Sequence, residues 1–208
     1  MITVRAAYAI LSGMTNLLEQ QKELQVEADK VHEHLGLAKL AELGTPNRVG
    51  SAALGLMVRR DLDITVVCAE LDEKTADEVA RIGAELIRHP RVRVVNMRDD
   101  TGHWNVDPDY PDGLYLGVKY RSLEGKDWNL DIWFVDEPDR QPDLAHLKSF
   151  PAKLDDEARL AILAIKQAWA ENAGYGSVVS SVDVYNAVLE HGVRSPEQFE
   201  QWRQRTAK

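Results

Sequence analysis

The chain has 208 residues, with 25 basic and 34 acidic side chains and a formal net charge of −9. Its 44% hydrophobic and 28% charged residues fit one folded domain, or a domain with a modest helical addition, and exclude a disordered chain. An acidic balance with no basic run speaks against long nucleic acid as a partner, and the single cysteine, Cys68, excludes an internal disulfide and a four-cysteine zinc site.

Residues 4–36 are rich in Ala, Leu, Glu, Gln and Lys and predict a helix that stops near Gly36. The apolar run Ala6–Met14 continues unbroken into Asn16–Gln20, so it reads as helix, not as a signal peptide, and the expected location is cytoplasmic. No apolar run approaches the roughly 18 residues that cross a membrane. A short helix is expected over residues 37–44, then a turn at Thr45-Pro46-Asn47. Residues 62–69 carry the β-favouring Ile64-Thr65-Val66-Val67 and predict a strand. Lys74–Arg88 has helical apolar periodicity, and Val92–Met97 reads as a strand. Residues 99–113, dense in Asp, Pro and Gly, are expected to form a loop. Leu114–Arg121 and Trp128–Val135 are strands around the turn Leu123-Glu124-Gly125-Lys126, which predicts a hairpin. Residues 141–151 form a connector. Helices follow over 155–172, 182–190 and 196–205, the last opened by Ser195-Pro196. The expected fold is α+β: a mixed sheet with helices packed on it, plus N- and C-terminal helices. The expected division is a core with its N-terminal helix over 1–150 and a helical segment over 151–208.

The chemistry concentrates in Val49-Gly50-Ser51, a nine-residue spacer, and Asp61-Leu62-Asp63-Ile64. Alternate residues of a strand share a face, so Asp61 and Asp63 point one way while Leu62, Ile64 and Val66 point to the core. Their Cα atoms stand about 6–7 Å apart. Such a pair of carboxylates repels itself unless a hard cation lies between, and oxygen ligands suit Mg²⁺. A Gly-Ser turn at a helix start offers backbone N–H groups and a hydroxyl to an anion. Taken alone, Asp-X-Asp is an ordinary strand and Gly-Ser an ordinary turn; their combination at this spacing is what carries information.

That combination resembles the nucleotidyltransferase superfamily related to DNA polymerase beta, and the centre of the chain, about residues 45–136, is similar to its small stand-alone bacterial members, which include antibiotic nucleotidyltransferases. The resemblance implies a nucleotidyltransferase core in which Gly50 and Ser51 hold the β- and γ-phosphates of a nucleoside triphosphate and Asp61 and Asp63 hold Mg²⁺. It also implies a third acidic residue on a later strand. Asp131, in Leu130-Asp131-Ile132, is the candidate, with Asp136 at the strand's end as the alternative. Arg59, Arg60, Lys119 and Arg121 are positive residues available to phosphate, with Arg59 and Arg60, next to the acidic pair, preferred.

The expected activity is Mg²⁺-dependent transfer of AMP from ATP onto an unidentified small hydroxylated acceptor, without long nucleic acid or membrane as partner. The rival readings are a regulatory protein of the same fold that modifies a partner protein, and a non-catalytic nucleotide-binding module. Other signals fail on geometry. His32-Glu33-His34 lacks the i, i+4 spacing of a zinc helix, and Asp107–Gly113 has Pro111 and Val118 where a calcium loop needs ligands. No glycine loop is followed by Gly-Lys-Ser/Thr, and Ser51 has Val49 where a nucleophile elbow needs Gly.

Overall fold

The computed structural model describes residues 4–172, 174–176 and 178–206, with side chains from residue 16 onward, so the apolar side chains read in Ala6–Met14 lie outside the described residues. The chain divides into two compact units. One comprises residues 26–54 and 60–148. The other comprises residues up to 25, 55–59 and from 149 onward. Among the described residues no helix is long and apolar enough to cross a membrane.

The first unit is built on a five-stranded sheet in the order β1-β2-β5-β4-β3. The strands are β1 (Gly44–Arg48), β2 (Asp61–Cys68), β3 (Val92–Asp100), β4 (Gly113–Arg121) and β5 (Asp127–Val135). β2 and β5 are parallel, and the other pairs are antiparallel, so the sheet is mixed as the short hairpin demanded. Three segments differ from expectation. Residues 44–48 form an edge strand instead of a turn. Pro46 is tolerated there because an edge strand has one row of backbone groups without a ladder partner. β3 runs on to Asp100, into the expected loop, because Arg98, Asp99 and Asp100 pair with Tyr115, Leu114 and Gly113. Residues 142–149, read as a connector, form α4 (Pro142–Ser149).

The period-2 pattern decides which face is buried. Leu62, Ile64 and Val66 of β2, Leu130, Ile132 and Phe134 of β5, and Leu116 and Val118 of β4 are each at most 2% exposed. Burial of such a side chain contributes about 1.5–3 kcal/mol. The helix α3 (Glu73–Ile87) turns Val79, Ile82 and Leu86 inward and brings Gly83 against Met97 and Leu116 on this same face. Asp72 caps α3, accepting from the Thr75 N–H at 2.8 Å, and this bond lowers its carboxyl pKa. The carboxylates of the motif therefore lie on the opposite face from the core.

The long helix α1 (Val4–His34) contributes its first residues to the second unit and its last to the sheet unit. In the second unit, α5 (Asp156–Trp169), α6 (Ser181–Leu189) and α7 (Pro196–Thr206) bury Ile162, Leu163, Ile165, Val184, Val188 and Phe199. The segment 55–59 is held within it. The Arg159 guanidinium donates to the Gly55 carbonyl at 2.9 Å, and the Lys166 ammonium donates to the Leu56 carbonyl at 2.6 Å. Leu56 and Met57 are each 1% exposed.

Candidate active site

Asp61 and Asp63 lie on the half-buried, non-core face of β2. The parallel register with β5 sets Asp63 directly opposite Asp131 and Asp61 opposite Asn129. Neighbouring strands lie about 4.8 Å apart. Asp131 is thus brought to Asp63 from 68 positions further along the chain by backbone pairing. Asp136 is taken elsewhere: its carboxylate accepts from the Leu71 N–H at 3.3 Å, beyond the end of β5. With burial as the larger cause, its charge helps push the Cys68 thiol up to about 11.

The Gly-Ser turn meets the same place. Val49 donates its N–H to the Asp63 carbonyl at 2.9 Å. Gly50 follows with φ +60°, at the start of α2 (Gly50–Leu54), and a Cβ there would collide with the Asp63 carboxylate oxygen. Glycine is required twice over, by the left-handed backbone and by the close approach of a side chain. Ser51 is the next residue, half-buried in the first turn of α2.

Arg60 is engaged where it stands. Its guanidinium donates to both carboxylate oxygens of Glu27, at 2.7 and 3.2 Å. Arg59 belongs to the other unit, donating to the Ala170 carbonyl and lying 4.4 Å from the Tyr175 ring centroid. Each of these arginines already has an acceptor or ring partner inside the protein.

Three residues at the site went unread in the sequence. Asn129 donates to Asp61 at 2.9 Å. The Tyr115 hydroxyl donates to Asp131. Tyr115 reaches it by lying over Gly117, which pairs with Asp131, and a Cβ at Gly117 would stand 2.5 Å from the Tyr115 hydroxyl oxygen. Burial, then the bond to Asp131 and its charge, hold the Tyr115 phenol well above the usual tyrosine range. Arg98, which pairs with Tyr115 across β3 and β4, places its guanidinium 4.8 Å from the Tyr115 ring and 5.4 Å from that of Trp133. The hairpin turn and strand alternation together predict that Tyr115, Gly117 and Lys119 share Asp131's face; that signal is present in the sequence.

Among the described residues no three His, Cys, Asp or Glu side chains are already gathered as a metal cage. The hydrogen bonds account for part of this, since Asp61 is drawn to Asn129 and Asp131 to Tyr115.

The same face continues into a groove of about 510 Å³ whose lining includes Arg91, Arg93, Lys119, Arg121, Asp127 and Asn129. These cations are scattered through the sequence and meet only when β3, β4 and β5 pair.

The mixed sheet with helices packed on it is the expected α+β fold, and solved terminal U-transferases share it. The chain is similar to the solved structure of a cytoplasmic RNA terminal U-transferase, at a TM-score of 0.56 and 16% identity over 86% of this chain and 53% of that one. It is similar to Cid1 poly(U) polymerase bound to MgATP, at 0.57 and 17% over 86% and 55%. It also resembles terminal uridylyl transferase 4 of Trypanosoma brucei with bound dUTP, at 0.52 and 14% over 85% and 57%. The likeness is one of fold, and the chain spans about half the length of these proteins. No protein-family model and no curated protein matches the sequence. The expectation that long nucleic acid is excluded is corrected here, because the similar structures include an RNA transferase. Net charge misled because it averages over the whole chain and hides a local basic strip.

Proposed function

We propose that this chain transfers a nucleoside monophosphate from a nucleoside triphosphate to a hydroxyl group, with Asp61, Asp63 and Asp131 as the acidic set. The reading rests above all on one observation: Asp63 and Asp131 face each other in register while Gly50 packs directly against Asp63. The donor set is oxygen only, from neighbouring strands, and such ligands fit Mg²⁺. When bound, the metal would neutralise charge on the attacking and leaving oxygens. Gly50 and Ser51 offer backbone N–H groups and a hydroxyl to the triphosphate, and glycine lets it approach the backbone closely. The acceptor oxygen attacks the α-phosphorus in line, the bond to the bridging oxygen breaks, and pyrophosphate leaves. Asp131 receives the acceptor's proton. Arg60 could help only if it exchanged Glu27 for phosphate.

ATP is the first donor to test. The acceptor class is suggested by the similar structures, one of which is an RNA transferase, and is read as the 3′ hydroxyl of an RNA strand. The test incubates the protein with labelled ATP or UTP, Mg²⁺ and an RNA oligonucleotide, its 3′ end free or blocked, beside small hydroxylated compounds. Labelling of the free 3′ end, abolished in Asp61→Ala and Asp63→Ala, supports the reading. No labelling of any acceptor, together with nucleotide binding indifferent to Mg²⁺, overturns it.

A further inference from the structure

The groove beside the carboxylates is basic in a chain whose net charge is −9. Lys119 pairs with Asn129, whose side chain holds Asp61, so the cationic strip begins one register step from the acidic set and on the same face. Arg121 follows two residues on, about 6.6 Å along the strand, and donates to Asp127 at 2.7 and 3.1 Å. Arg93 sits in the β-bulge of β3, where the register with β4 shifts between Val92 and Val94. A bulge turns a side chain away from the ladder's regular alternation, and the Asp127 pKa is lowered first by the Arg121 hydrogen bond and, least, by the charge of nearby Arg93. Neither Lys119 nor Arg93 has an ion pair among the described residues. At the other end of the same face stand the rings of Tyr115 and Trp133, with centroids 5.0 Å apart and the Arg98 guanidinium over both.

We propose that this face seats a single-stranded nucleic acid, its phosphodiester backbone running along Lys119, Arg121 and Arg93 and a base lying against the Tyr115–Trp133–Arg98 cluster. A cationic track with aromatic faces in line is the arrangement that binds single strands without sequence preference. An acidic peptide would use the cations but has no stacking bases for the rings. The proposal rests on the nucleotidyl-transfer reading only for its suggestion that the strand's hydroxyl end points toward Asp131; binding stands apart from catalysis.

The experiment measures fluorescence anisotropy of a labelled single-stranded RNA 15-mer in EDTA across a salt series. The wild type is compared with Lys119→Ala/Arg93→Ala, with the charge-keeping Lys119→Arg/Arg93→Lys, and with Lys74→Ala/Arg88→Ala at the two ends of α3. Removing two phosphate contacts lowers the slope of log affinity against log salt by about 1.4. The charge-keeping pair retains the wild-type slope, and the α3 pair leaves it unchanged. An unchanged slope in Lys119→Ala/Arg93→Ala overturns the proposal. So does tighter binding of polyglutamate than of RNA through the same two cations. Because no turnover is measured, a failure here is distinct from a failure of the labelling assay.

Discussion

At the level of single residues, two glycines set the site. Gly50→Ala puts a side chain into a left-handed backbone, at a cost of about 1–2 kcal/mol, and into the Asp63 carboxylate. The expected outcome is a thermal midpoint lowered by about 2–4 °C for each kcal/mol, with nucleotide binding weakened beyond what that loss accounts for. Gly117 acts through another residue. Gly117→Ala evicts the Tyr115 hydroxyl from its path to Asp131, and Tyr115→Phe removes the hydroxyl itself. Both should slow nucleotidyl transfer, and because they break one bond the double variant should be no slower than the worse single one. Additive effects in kcat/KM would sink the idea that Tyr115 positions Asp131. The acidic residues were legible in the sequence because period 2 fixes a strand's faces. Tyr115 and Asn129 were harder to see, since each matters only through a neighbour on another strand.

Among the elements, β2 and β5 matter most, because their parallel register determines that Asp63 meets Asp131. A slip of one residue would turn Asp131 into the core, so the buried pattern of Leu130, Ile132 and Phe134 protects the site as well as the fold. The helices are specified locally. Asp72→Ala removes the α3 cap and should cost about 1 kcal/mol, visible in denaturant unfolding, with nucleotidyl transfer unaffected. The edge strand β1 escaped sequence reading because Thr45-Pro46-Asn47 carries turn residues, and only pairing with Thr65, Val66 and Val67 makes it a strand. α4 was missed for the opposite reason: its eight residues bury only Leu144, so its periodicity is faint.

For the whole molecule, pH acts through histidines. Burial, as the first cause, lowers the pKa of His32, His89 and His146. A folded-state pKa below the unfolded value means the unfolded chain binds the proton more tightly. Stability from these groups is full above about pH 6.5 and is lost as pH falls below it. At His89 the charges of His34 and Arg91 add to burial, and Nδ1 accepts from the Arg91 N–H at 3.2 Å, a bond that a proton on Nδ1 would forbid. Thermal midpoints at pH 8, 7 and 6 should decline mainly in the last step, and less so in His89→Gln; a flat profile would refute the assignment. The fold class could be read because strands and helices declare themselves over short windows. The basic strip could not, since it arises from residues far apart in the chain.

The spacer between Ser51 and Asp61 is not a free loop. Its residues 55–59 leave the sheet unit, are clasped by Arg159 and Lys166, and return. Five of the nine residues between Ser51 and Asp61 are thus packed within the helical unit. A chain cut after residue 148 would remove both donors and the helices among which Leu56 and Met57 are buried, leaving two apolar side chains exposed in the middle of the motif.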